Sequence, residues 1–94
     1  MKILAVDTSA VSASAAVMND GKILSSSFTN TGLTHSQTLM PMIERTLSGA
    51  GVDVKDIDLF AVDNGPGSFT GVRIGVAAIK GMAHMLGKKC IGIS

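Results

Sequence analysis

Residues 62–81 read VDNGPGSFTGVRIGVAAIKG. An apolar run ending in Val62 meets three glycines and a proline between Gly65 and Gly71, and then a stretch of helical character that carries Gly75, Gly81 and two charges, Arg73 and Lys80. Strand, glycine loop and helix in that order can aim free backbone N–H groups and a helix dipole at an anion. The same order suits a helix whose small residues let a second backbone come close. The choice between a phosphate loop and a packing helix governs how the rest of the chain is read.

The spacing fails the sharp phosphate tests. A P-loop places two glycines five positions apart and follows them with Lys and Ser or Thr; here Gly65 and Gly71 are six apart and Val72-Arg73 follows. The dinucleotide pattern G-x-G-x-x-G requires glycine where Thr70 stands. Gly65-Pro66-Gly67 therefore reads first as a turn of unusual backbone angles, with phosphate contact as the alternative. Beyond it, Val72, Val76, Ile79, Ala83 and Leu86 form one helical stripe, and Gly71, Gly75, Ala78, Met82 and Met85 a second, one position round. Arg73, Lys80 and His84 hold the polar side, with Ala77 among them. The first stripe is expected on a sheet. The second needs either the other helix of this chain or a partner, and the excess of apolar faces favours a partner. Each interior glycine costs a helix about 1 kcal/mol relative to Ala, which close backbone approach can offset.

Outward from this stretch, the elements fall in the order β-β-β-α-β-α-β. Ile3 to Val6 is a continuous apolar run, expected as a central strand buried on both faces. From Val11 to Val17 apolar residues recur at every second position, as in a strand, and Asn19-Asp20-Gly21 is a hairpin turn. Lys22 to Phe28 is a more polar strand and so an edge; Asn30-Thr31-Gly32 breaks it. Thr34 and Gln37 fit a capping box for a helix in which Leu39, Ile43, Leu47 and Ala50 recur at helical spacing, ended by Gly49 and Gly51. Pro41 either kinks this helix or starts a shorter one. Ile57 to Val62 is a strand, Thr70 to Leu86 a helix stopped by Gly87-Lys88-Lys89, and Cys90 to Ile93 a last strand. This predicts a mixed five-stranded sheet with both helices on one face. Residues 1–94 read as a single lobe that breaks off as a strand finishes at Ser94, with a second lobe expected beyond it.

The composition narrows the function. The chain is 46% hydrophobic, only 16% charged, and has a net charge of +1 with no basic run, which argues against unaided nucleic-acid binding. Cys90 is the single cysteine, in the apolar run KCIGIS, and reads as a buried small hydrophobe. The four apolar residues of MKILAVD are too few for a signal peptide, and no stretch is long enough for a membrane span, so a cytoplasmic setting is expected. His35 and His84 lack a second histidine at helical spacing and read as surface side chains, not metal ligands. No serine sits in a nucleophile elbow. Asp7, at the end of the first strand, is either a turn residue or a place to hold a metal-bound water or phosphate.

Three segments, MKILAVDTS, HSQTLMPMI and DNGPGSFTGVRIGVAAIKGMA, closely resemble the TsaB (YeaZ) family, and the resemblance covers essentially the whole chain. It implies an ASKHA-type lobe, the α/β, ribonuclease H-like architecture shared by actin, Hsp70 and sugar kinases. It also implies a non-catalytic scaffold that activates a TsaD-like transferase making N6-threonylcarbamoyladenosine at position 37 of tRNA. A TsaE-like ATPase would be a further partner, a homodimer an alternative assembly, and tRNA would be met only through the complex. On this resemblance the two helices form the partner surface, through Leu39, Met40, Ile43 and Leu47 of the first and Gly71, Gly75, Ala78, Met82 and Met85 of the second. Asp7, Thr8, Ser9, Gly65 and Gly67 are the positions expected to face a phosphate if any do. Asp7-Thr8-Ser9 lacks the glycine of the superfamily's first phosphate loop, so no tightly bound cofactor is expected, with ATP and a divalent metal confined to the assembled complex. The competing reading is a nucleotide-binding lobe of an ASKHA phosphotransferase, or a glycoprotease-like peptidase.

Overall fold

The computed structural model describes residues 1–8, 12–29, 35–63 and 70–93, with the side chains of 35–38, 70–74 and 93 outside that description. The strands are β1 (Lys2–Thr8), β2 (Ala13–Asn19), β3 (Lys22–Thr29), β4 (Leu59–Asp63) and β5 (Lys89–Ile93). The helices are α1 (His35–Ala50) and α2 (Thr70–Leu86), with a short 3-10 turn at Val54–Asp56 ahead of β4. The sheet order is β3-β2-β1-β4-β5. The first three strands pair antiparallel, and β4 and β5 join parallel to β1. Element order, mixed sheet and the edge position of β3 agree with the sequence reading.

Local chemistry sets the connections. Asp20 and Gly21 both have positive φ, 52° and 83°, which two-residue hairpin turns of matching twist demand and which an Asp-Gly pair supplies. Both helices end on the same hydrogen-bonded motif. After α1, Gly51 takes φ 67°, its N–H reaches the Ser48 carbonyl and that of Val52 the Leu47 carbonyl. After α2, Gly87 (φ 66°) and Lys88 repeat the pattern on His84 and Ala83. Pro41 lies inside α1, exposed, and neither starts nor ends it.

Alternation along the strands sends Leu4, Val6 and Thr8 of β1, Ala13, Ala15 and Val17 of β2, and Phe60 and Val62 of β4 to one face, where all are buried. Both helices cover that face, α1 over β2 and β3, α2 over β1, β4 and β5. Leu39, Met42, Ile43 and Leu47 from α1 and Ile79 and Ala83 from α2 close the core. The expectation that Ile3 to Val6 is buried on both faces fails for half of its residues. Ile3 and Ala5 are only half-buried, because among the described residues no element covers the second face. Over β3 the α1 seam turns polar. Thr46, fully buried, hydrogen-bonds the Met42 carbonyl at 2.7 Å and the Ser27 hydroxyl at 2.8 Å. Its single proton serves one of these bonds, so it donates to the carbonyl and accepts from Ser27.

Candidate functional site

Two surfaces carry candidate residues. The first is the outer side of the helix pair. Between α1 and α2 runs a groove of about 360 Å³, lined by Met40, Leu47, Val52, Val54, Met82 and their neighbours. Met40 is 38% exposed and Met85 87% exposed, while Ala78 and Met82 are half-buried. These four remain open to a partner. Leu39, expected on the partner surface, is 1% exposed and belongs to the core alone, whereas Ile43 and Leu47, at most 7% exposed, pack in the core and line the floor of the groove. Their helical spacing reports burial without saying what buries them. The surroundings of Gly71 lie outside the described residues.

Gly75, also expected on the partner surface, faces inward. It is buried, and with Ile79 and Ala83 forms the row of α2 that faces the sheet. A Cβ at this position would lie 3.0 Å from Thr8 Cγ2 and 3.2 Å from Thr8 Cβ, and nearer still to its Oγ1. Gly75 therefore serves an approach between α2 and β1 inside the chain. Hydrophobic patterning misplaced it because a glycine contributes no apolar side chain to a stripe.

The second surface is the face of the sheet opposite the helices. There a cleft of about 670 Å³ is floored by Ala5, Ser14, Ala16 and Ala61 and flanked by Ser26, Phe28, Asp7 and Asp63. The parallel register pairs Val6 with Val62. The next residue of each strand is an aspartate, and period-two alternation turns both carboxylates to the open face. Partial burial, then a hydrogen bond with Asp63, then the charge of Asp63 push the Asp7 carboxyl above its ordinary range. A hydrogen bond between two carboxyl groups requires a proton on one of them. Asp63 was not singled out from the sequence; the signal that could have found it is the parallel pairing of two apolar strands that each end in Asp. Thr8, expected to face a phosphate, points to the helix side and is 3% exposed. Ser9, Gly65 and Gly67 lie outside the described residues, as do the capping residue Thr34 and the side chain of His35. His84 is exposed on α2, and Cys90 packs half-buried against the core. Among the described residues no three His, Cys, Asp or Glu side chains group as metal ligands, and no helix is long and apolar enough to cross a membrane.

The comparisons with known proteins bear on both surfaces. The family model described as "TsaD: tRNA N6-adenosine threonylcarbamoyltransferase" matches residues 22–94. Against the tRNA threonylcarbamoyladenosine biosynthesis protein TsaB of Escherichia coli the chain is 39% identical over 94 residues, all of the chain and 40% of that protein. The structure of YeaZ from Pseudomonas aeruginosa superposes with a TM-score of 0.90 at 36% identity, over 99% of this chain and 43% of that one. The chain belongs to this family, in its TsaB (YeaZ) branch. A ROK hexokinase from Thermus thermophilus, 18% identical, matches with a TM-score of 0.66 over 98% of this chain and 34% of that structure. That likeness shows the fold alone, and with the sheet order it makes the lobe an ASKHA-type one. The chain thus spans well under half the length of the TsaB and YeaZ proteins that it matches.

Proposed function

We propose that the chain is the N-terminal lobe of a non-catalytic scaffold. It pairs with a TsaD-type transferase in forming N6-threonylcarbamoyladenosine on tRNA, with a TsaE-type ATPase as a further partner of the complex. The observation that carries this reading is the 39% identity to E. coli TsaB along the whole chain. The helix pair supports it. The groove between α1 and α2 is mainly apolar and is lined by Met40 and Met82, and Met85 stands exposed further along α2. Methionines are soft, adaptable contact residues, and exposed apolar surface rimmed by polar groups such as Glu44, Ser48 and Asp53 suits a protein partner. In this reading the protein works in the cytoplasm, meets tRNA only through the complex, and binds ATP and a divalent metal only once assembled.

The test is sedimentation of the chain with the transferase subunit, followed by tRNA modification in the reconstituted system. A heterodimer, and modification that depends on it, are expected. A chain that stays monomeric beside the transferase overturns the reading. The Asp7–Asp63 cleft is the feature a nucleotide-binding reading would use. Calorimetric titration giving micromolar ATP affinity that is lost in Asp7→Ala would favour that alternative.

A further inference from the structure

We propose that Gly75 is a positioning residue: its missing side chain seats α2 directly on Thr8, and that contact ties the outer face of α2 to the Asp7–Asp63 end of the sheet. That a partner sits on the outer face rests on the function proposed above; the seat itself is a property of this chain alone.

The two interior glycines of α2 establish the seat by contrast. A Cβ on Gly81 would meet nothing within 4 Å, and Gly81 is exposed. A Cβ on Gly75 would run into Thr8, at 3.0 Å from Cγ2 and 3.2 Å from Cβ. These atoms cannot swing away. Thr8 is β-branched, with few rotamers, and is 3% exposed beneath the helix. Its strand is fixed on both sides, Thr8 pairing with Ala13 of β2 and Val6 with Val62 of β4. The helix and the strand end therefore meet without slack.

One residue separates this contact from the cleft. Thr8 faces α2, and Asp7, its neighbour, faces the open side, where it meets Asp63. A tightly packed interior passes displacement on instead of absorbing it. The row that holds α2 to the sheet is Gly75, Ile79 and Ala83, while Ala77 and Met85 lie exposed on the same rigid helix. A partner that presses or tilts α2 against this contact bears on Thr8, and the end of β1 beyond the Val6–Val62 pair shifts with it, changing the spacing of the two carboxylates. A partner surface and a polar cleft on opposite faces of one sheet are thereby linked through a single side-chain contact.

The experiment follows the Asp7 carboxyl by carbon-13 NMR across pH in the whole chain, in the wild type, Gly75→Ala, Gly81→Ala and the double variant Gly75→Ala/Thr8→Ala. Gly75→Ala is expected to move the Asp7 titration midpoint by about 0.3 pH unit or more. Gly81→Ala should leave it in place, and the double variant, which removes Thr8 Oγ1 and Cγ2 and leaves only the 3.2 Å Cβ contact, should bring it back toward the wild-type value. An unmoved midpoint in Gly75→Ala, or a double variant no closer to wild type than the single, overturns the proposal. Should Gly75→Ala fail to fold, recovery of folding and of the midpoint in the double variant supports the seat, and a double variant that also stays unfolded overturns it. Affinity for the transferase subunit is read alongside, with a loss of about tenfold expected in Gly75→Ala and recovery in the double variant. Unchanged affinity in Gly75→Ala, where the wild type binds, overturns the link to the outer face. A wild type that does not bind the transferase overturns the proposed function instead, and the Asp7 midpoint then still decides the seat.

Discussion

Leu4 and Val6 look to one side of the sheet, Ala5 and Asp7 to the other, and the two faces built from such alternate residues do different work. The helix side buries large and branched side chains: Leu4, Val17, Phe60 and Val62 are each at most 1% exposed, and Val6 3%. The cleft on the open side is floored by Ala5, Ser14, Ala16, Ser26 and Ala61, all short, with Phe28 beside them, and ends in two carboxylates. Burial of apolar area is non-directional and holds the lobe together from one side. A low, smooth floor with polar groups at one end allows close approach from the other. Stability and surface chemistry are thus separated by a single step along each strand.

The largest effect expected from this comparison comes from the two phenylalanines that represent the faces. Phe60 is fully buried under the helices, and Phe60→Ala should destabilise the chain by about 3–5 kcal/mol through lost transfer energy and a residual cavity. Phe28, on the open face, is 68% exposed, and Phe28→Ala should stay within about 0.5 kcal/mol. Urea unfolding of the two variants measures both. Equal losses would mean that the open face is covered in solution and that the contrast drawn here fails.

How much of this could be seen in the sequence depended on whether the decisive contact was local. The Asp20-Gly21 hairpin and the helix ends at Gly51 and Gly87 were legible because their chemistry lies within a few residues of the turn. The two-residue period of β2 was legible because one face is wholly buried. Gly75 was not, since its reason for being glycine is Thr8, far away in sequence. Asp63 was missed for the same cause: only the β1–β4 register brings it beside Asp7. The stripe Leu39, Ile43, Leu47 is legible as a buried side, but periodicity leaves open that Leu39 is covered by the same chain alone while Ile43 and Leu47 also line the groove.

A second, smaller effect tests the proposed partner surface. Met85 is 87% exposed, so Met85→Asp should leave the lobe's stability within about 0.5 kcal/mol. If the outer face of α2 meets the transferase subunit, the new carboxylate is buried without a partner, and affinity should fall by about tenfold or more. Calorimetric titration of the variant against that subunit reads it. An unchanged affinity would move the contact away from Met85, toward the Met40 side of the groove.

The smallest effect sets the two ends of β1 against each other. At its beginning, the Lys2 N–H donates to Asp58 Oδ2 at 2.8 Å, and this bond, helped by the nearby charges of Lys88, the N-terminus and Lys2, holds the Asp58 carboxyl below its ordinary range. At its end, partial burial and Asp63 push Asp7 the other way. The signs follow from proton counting. Asp58, lowered, contributes stability above the ordinary carboxylate pKa of about 3.9 that is lost as pH falls through its folded value. Asp7, raised, contributes stability below about pH 3.9 that is lost as pH rises through its folded value, so that at neutral pH the two like charges oppose the strand pairing. Asp63→Asn removes one of those charges and should stabilise the chain at pH 7 by roughly 0.2–0.5 kcal/mol, the low end of cross-strand charge effects, because Asp7 is exposed and screened by solvent. The gain should shrink as pH falls through the Asp7 titration and as salt is raised, while in Asp58→Asn the acid-side loss assigned to Asp58 should disappear. Urea midpoints across pH 3 to 7 for the wild type and both variants distinguish the two ends, and an Asp63→Asn variant less stable than wild type at pH 7 would show that Asp63 holds this end of the sheet by its own hydrogen bonds more than it strains it by its charge.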